Sequence, residues 1–222
     1  MIERHLEVTR TARYWTLGDP GRAREIWFVL HGYRQLARRF LKRFGPVDDG
    51  TRLIVAPEAL SRFYVSSTVG RHGPSSIVGA TWMTREDRDH EIADYVAYLD
   101  RLAHAITTEA PGLPVNVLGF SQGVATATRW VVRGAVRPAR LVLWGDFTPP
   151  DLDLTKAREI FADVDVITVR GAADPALSAR LAEEEAMRLH GAGIRVRPVV
   201  YDGGHDIDAD TLVALLETVH RD

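Results

Sequence analysis

Apolar residues in this chain gather in short continuous runs, and between the runs they recur every three or four positions. Residues 26–30 are a continuous run of strand length, apolar enough to be buried on both faces; 53–56 and 141–144 are like runs, and 115–118 and 164–169, interrupted by Asn116 and by Asp165 and Thr168, read as further strands. Residues 195–201 alternate, as a half-exposed strand would. Helical spacing marks residues 35–44, 85–107, Gln122–Arg133, 177–190 and 209–219; the second of these opens with Glu86, Asp87 and Asp89, where a helix dipole favours anions. Strands therefore alternate with helices, a pattern that predicts an α/β fold: a mostly parallel central sheet with helices on both faces. Ahead of it, residues 2–8 and 12–17 alternate weakly on either side of polar positions and precede the turn signal Gly18-Asp19-Pro20-Gly21, which predicts an antiparallel N-terminal hairpin at the sheet edge. Residues 58–84 read as one long loop rich in Gly, Ser and aromatics, and a connection of that length is usually functional.

Composition narrows the chemistry. The 222 residues carry 28 Lys and Arg against 30 Asp and Glu, and no Pro/Gly/Ser-rich linker divides them, so residues 1–222 are expected to form one domain without a separate lid domain. Near-neutral charge gives no electrostatic pull toward nucleic acid or anionic membrane, no run is long enough for a membrane span, and the charged first residues do not resemble a signal peptide. A cytoplasmic protein acting on a small, weakly charged molecule is expected, with a homodimer left open. There is no cysteine, which removes disulfides, thiolate metal sites and a cysteine nucleophile together.

Serine is left as the nucleophile to examine. Gly119-Phe120-Ser121-Gln122-Gly123 joins an apolar run to a helical segment, and small neighbours allow the tight turn that lifts a serine hydroxyl clear of a sheet. Two further loops follow strand-like runs, where an α/β sheet presents its reactive groups: Gly171-Ala172-Ala173-Asp174-Pro175 and Gly203-Gly204-His205-Asp206. A hydroxyl needs a base, and an imidazole that becomes cationic needs a carboxylate. The expected relay is therefore Ser121, His205 and Asp174. Asp146, in the loop after residues 141–144, is the rival acid. A tetrahedral intermediate needs donors for its oxyanion; the backbone amides of Gln122 and of Tyr33, in His31-Gly32-Tyr33, are the candidates.

These segments together resemble the α/β-hydrolase superfamily and, within it, the small carboxylesterase/phospholipase group that includes the acyl-protein thioesterases. The likeness rests on Leu30-His31-Gly32, the Ser121 elbow with Gln122 after it, the Asp174-Pro175 loop and Gly204-His205-Asp206, and so runs over most of the chain. Trp82 also stands where that group carries a tryptophan near its acyl site. Val124, where a further glycine is common, and Tyr33-Arg34-Gln35 depart from the group's pattern. The resemblance implies an α/β-hydrolase fold and a serine hydrolase cleaving esters of small to medium acyl groups through an acyl-enzyme, with a thioesterase or a non-catalytic binding protein as alternatives. No metal or organic cofactor is expected.

Tyr64, Trp82, Met83 and Phe147 are the candidates for the substrate pocket, with Ile207 as a further residue that could line it. His31 is read as ordering the oxyanion loop and His72 as a surface residue. Asp87, Asp89, His90 and Glu91 are read as solvated helix-start charges, and the run Arg34, Arg38, Arg39, Lys42 and Arg43 as a solvated helix face.

Overall fold

A computed structural model describes residues 1–65 and 72–217. Among the described residues there are nine strands: β1 (Tyr14–Leu17), β2 (Glu25–Leu30), β3 (Arg52–Pro57), β4 (Ser61–Tyr64), β5 (Val78–Thr81), β6 (Val115–Phe120), β7 (Arg140–Trp144), β8 (Asp165–Gly171) and β9 (Arg197–Tyr201). The helices are α1 (Ala37–Leu41), α2 (Arg88–Glu109), α3 (Gln122–Arg133), α4 (Leu154–Phe161), α5 (Ala179–Gly191) and α6 (Ala209–Glu217). Seven strands form one sheet in the order β1-β3-β2-β6-β7-β8-β9, parallel except for β1. Every residue of β3 and β7 is buried, as their unbroken apolar runs require.

The two sheet faces hold separate cores. Phe28, Val55, Val117 and Leu143 face α2 and α3, whose Tyr95, Leu99, Ala127 and Trp130 close that side. Trp27, Ile54, Leu118 and Trp144 face the opposite way, against Phe40 of α1 and Leu212 and Leu216 of α6. Alternation along each strand thus divides neighbouring residues between two helical layers.

Four features differ from the sequence pattern. The antiparallel edge strand exists as β1, but its partner is β3, with Tyr14 opposite Pro57, while residues 2–8 are exposed and have no regular structure. Helix α1 stops at Leu41 and continues as a 3-10 segment, Lys42–Val47, because Pro46 supplies no amide donor and disfavours α geometry in the residue before it. The stretch 58–84 contains an antiparallel pair, β4 with β5, while its residues 66–71 lie outside those described. Helix α4 stands between β7 and β8, in a proline-containing stretch to which no helical spacing is assigned above; Asp153 caps it by accepting from the Lys156 amide at 3.0 Å. The last two residues of the expected helix 209–219 also lie outside the described part.

At the edge where the parallel strands begin, charge is buried and paired. Glu25 heads β2 and accepts from Arg52 Nε at 2.9 Å, Arg140 at 2.8 Å and Asn116 at 2.9 Å. Arg140 also lies 4.6 Å over the Trp27 ring, and each arginine donates to a carbonyl near the end of α6. These polar groups knit four adjacent strands to a helix. Among the described residues no helix is long and apolar enough to cross a membrane.

Candidate active site

Strand β6 runs buried to Phe120 and turns directly into α3 at Ser121, whose φ is 52° and ψ −123°. The turn depends on two glycines at close approach: a side-chain carbon on Gly119 would stand 2.3 Å from the Gly123 carbonyl oxygen, and one on Gly123 would stand 2.2 Å from that of Leu30. Ser121 sits at the N-cap of α3, where a serine hydroxyl ordinarily bonds the helix amides. Ser178 does so at the start of α5, accepting from Leu181. Ser121 makes no such cap, while its own amide is held by the Trp144 carbonyl at 2.8 Å, so the backbone is pinned and the hydroxyl is left available.

The carboxylate arrives from the end of β8 and the imidazole from the end of β9. His205 Nδ1 lies 2.7 Å from Asp174 Oδ2. Asp174 is 4% exposed and its other oxygen accepts from the Ala176 amide at 3.0 Å. Such a carboxylate draws the imidazole proton to Nδ1 and leaves the Nε2 lone pair open. Backbone bonds Ala172 to Tyr201 (2.8 Å) and Ala173 to Gly203 (2.9 Å) zip the two loops together. The histidine loop is fastened again by the Tyr201 hydroxyl, which donates to the Gly204 and Asp206 carbonyls, and by the Trp144 indole, which donates to Asp206.

The His205 ring packs on Phe120, the residue before Ser121, with centroids 5.1 Å apart. Ser121 and His205 are not hydrogen-bonded to each other; the ring's contact to the elbow is through Phe120. Asp146 stands beside the pair without touching the imidazole nitrogens: its Oδ1 accepts from the next amide, Phe147, and burial pushes its carboxyl above the usual range. The structure thus brings Asp174, rather than Asp146, against His205.

The loop after β2 carries the expected oxyanion donors. Among the described residues the Tyr33 and Gln122 amides donate to no protein group, and the Gln122 amide opens α3, where the helix dipole is positive. His31 orders this loop. It is wholly buried; its Nδ1 donates to the Gly32 carbonyl at 2.8 Å, and its Nε2 accepts from the Ala59 amide at 3.1 Å. Burial lowers its pKa to about 4, so it stays neutral where His205 would work.

The pocket candidates separate. Trp82 is 3% exposed and its indole donates to the His31 carbonyl at 2.8 Å, so it visibly holds the oxyanion loop. Met83 packs half-buried beside Arg129, and Tyr64 stacks on His72 at 3.7 Å on the β4–β5 hairpin. Phe147 lines a cavity of about 620 Å³ between α5 and strands β8 and β9. The Gln122 side chain has a part that motif reading does not reveal: it accepts from the Trp82 amide at 3.1 Å and donates to Thr81 and the Met83 carbonyl at 2.9 Å, tying β5 to the elbow. At the start of α2, His5 joins Asp87 and His90 in an exposed trio; Asp89 and Glu91 do not belong to it.

The chain matches no protein-family sequence model and no curated protein. Solved structures do match. A phospholipase/carboxylesterase from Dyadobacter fermentans DSM 18053 superposes with TM-score 0.66 at 20% identity, over 97% of this chain and 99% of that one. A carboxylesterase from Mesorhizobium loti gives TM-score 0.69 at 20% identity, over 93% and 95%. Zea mays acyl-protein thioesterase 2 gives 0.67 at 16%, over 92% and 96%. The chain has the α/β-hydrolase fold, in the form also taken by these esterases.

Proposed function

We propose that this protein is a serine hydrolase of carboxylic esters. The observation that carries the reading is the His205–Asp174 pair, 2.7 Å apart, delivered to the same sheet edge as a serine whose strained turn leaves its hydroxyl uncapped. In the proposed sequence the Ser121 oxygen attacks the ester carbonyl while its proton passes to His205 Nε2. The resulting oxyanion is met by the Gln122 and Tyr33 amides, each such donor contributing about 3 kcal/mol. Collapse breaks the bond to the alcohol oxygen, which takes the proton from His205, and leaves the acyl group on Ser121. Water then attacks the acyl-enzyme with the same histidine as base, releasing the acid and restoring the serine. Asp174 keeps the imidazole in the required tautomer and balances its charge throughout. The proposed proton transfer requires the Ser121 hydroxyl to donate to His205 Nε2 in the substrate complex.

The cavity beside Phe147 provides for the acyl chain. Asp146 and Phe147 at its mouth follow directly on Gly145, where a side-chain carbon would stand 3.4 Å from the His205 ring, and Leu177 comes from the acid loop. Leu189, Ile194 and Val196 make its deeper part apolar. An oxygen ester is favoured by the two carboxylesterase-like structures, and an acyl thioester by the likeness to the maize thioesterase.

Turnover of 4-nitrophenyl butyrate tests the reading. Activity is expected in the wild type and a loss of at least about 10⁴-fold in Ser121→Ala; equal rates in the two would overturn it. Matched oxygen and sulfur esters of one acyl group then choose between esterase and thioesterase.

A further inference from the structure

The arginines after the oxyanion loop do more than coat a helix. Arg34, Arg39 and Arg43 line a second pocket, of about 180 Å³, whose floor includes Phe120 and Ile207, the neighbours of Ser121 and of the His205 loop. Phe120 and Ile207 belong to the α1–α6 side of the sheet, whereas the acyl cavity opens on the α2–α3 side. The two pockets thus lie on opposite faces of the sheet, the smaller reaching Phe120 beside Ser121 and the larger reaching Asp146 beside Gly145, which packs on the His205 ring.

Charge in the smaller pocket is unbalanced. Arg43 is paired with Asp206 at 2.6 Å, but among the described residues no carboxylate pairs with Arg34 or Arg39. Arg38 and Lys42 do not line it; Arg38 lies 5.2 Å over the Trp15 ring. Arg34 is also held at a cost. Its φ is 67°, the left-handed region that side chains rarely adopt, and among the described residues only Asp87 and Ser121 share that sign without being glycine. The conformation is enforced from β5: the Arg34 amide donates to the Ala80 carbonyl at 3.0 Å, the Ala80 amide donates to Gln35 at 3.1 Å, and Gly79 lies so close that a side-chain carbon there would stand 2.5 Å from the Arg34 carbonyl oxygen. The backbone is thus fixed at Arg34, two residues past Gly32, while its exposed guanidinium has no carboxylate among the described residues to hold it away from the pocket.

We infer that this pocket binds an oxyanion, carboxylate or phosphate, on the alcohol portion of the ester, so that the preferred substrates are acyl esters of small anionic alcohols. Arginine suits both groups because its planar fork donates two parallel hydrogen bonds to either. The inference rests on the hydrolase reading for its orientation: with the acyl chain in the apolar cavity, the alcohol leaves through the basic side, where His205 protonates it.

Three butyrate esters test it, those of 2-methoxyethanol (neutral), glycolate (carboxylate) and 2-hydroxyethyl phosphate (phosphate), with acid release followed by pH-stat. At low salt the wild type is expected to favour at least one anionic ester over the neutral one by about tenfold or more in kcat/KM, and which one identifies the group. In Arg34→Asn/Arg39→Gln that ratio is expected to fall close to one; asparagine tolerates the left-handed backbone at position 34, so the change removes charge with little strain. A ratio at or below one in the wild type, or one unaltered in the double variant, overturns the inference. If 4-nitrophenyl butyrate is turned over but none of the three esters is, the inference is overturned while the hydrolase reading stands; if 4-nitrophenyl butyrate is not turned over either, the hydrolase reading fails, and the pocket is judged by calorimetric titration of the wild type with glycolate and with orthophosphate. Saturable binding lost in the double variant supports an oxyanion site; no binding to the wild type removes it.

Discussion

The two edges of the central sheet handle polarity in opposite ways. Where the parallel strands begin, Glu25, Arg52, Asn116 and Arg140 are buried and bonded to one another, the arginines also to helix-end carbonyls. Where the strands end, Ser121 makes no cap, among the described residues the Tyr33 and Gln122 amides have no protein acceptor and Arg34 no carboxylate, and Tyr33, Arg34 and Asp146 stand exposed. Exposed polar groups are satisfied by solvent and cost little to leave without a protein partner, so this edge is open to a ligand, whereas buried charges must be paired. On the proposed reading, the paired edge serves stability and the open edge serves chemistry. The two histidines that end strands of this sheet repeat the contrast at small scale: His31 is clamped on both nitrogens and neutral, whereas His205 is clamped on one and free on the other.

Exchanging these characters one residue at a time should sharpen the division. The largest effect is expected for Asp174→Asn, which keeps the shape but favours the wrong imidazole tautomer: kcat toward 4-nitrophenyl butyrate should fall about 10⁴-fold with little change in melting temperature. Glu25→Ala does the reverse. It leaves the buried Arg140 guanidinium without a carboxylate and Arg52 with Asp49 alone, which should cost about 3–5 kcal/mol in denaturant unfolding, while kcat of the folded protein stays close to that of the wild type.

A smaller, pH-dependent effect belongs to His31. Its folded pKa of about 4 lies below the unfolded value of 6.5, so the unfolded chain binds the extra proton between those two pH values. Its contribution is therefore complete above about pH 6.5 and is lost as pH falls toward 4, on the order of 3 kcal/mol in all. Unfolding free energies measured across that window should slope less steeply in His31→Gln than in the wild type; identical slopes would show that His31 is not the titrating group. The smallest effect is expected for Gln122→Ala, which keeps the backbone donor but releases the Trp82–Met83 segment, costing about 1–2 kcal/mol of stability and raising KM more than it lowers kcat.

Much of this division was legible in the chain before any coordinates. Parallel strands buried on both faces read as continuous apolar runs, which is why residues 26–30, 53–56 and 141–144 fall inside β2, β3 and β7. The glycine contexts of Ser121, Asp174 and His205 were legible because tight approaches of backbone to backbone leave no room for side chains. The β4–β5 pair was hidden, since its alternation lasts only four residues per strand and sits among Gly and Ser. The pairing of β1 with β3 joins residues some 40 positions apart and leaves no local trace. Helix α4 buries only Ala157 and Phe161, too narrow a stripe to show periodicity. Roles that depend on neighbours distant in sequence were likewise invisible: the Gln122 side-chain anchor, the placement of Trp82 behind the loop, and the division of the arginine run into Arg38 on Trp15 and Arg34 and Arg39 in a pocket. One signal was present but unread. Glu25, Arg52 and Arg140 each stand at the head of an apolar run, an improbable place for a charge unless it is paired across the strands.

The central claim is that Ser121 is activated by the His205–Asp174 pair, and a fluorophosphonate reagent followed by peptide mass spectrometry tests it most directly. One adduct per chain, located on Ser121 and absent in His205→Gln, is the expected result. An unreactive wild type, or the same adduct at the same rate in His205→Gln, would contradict it.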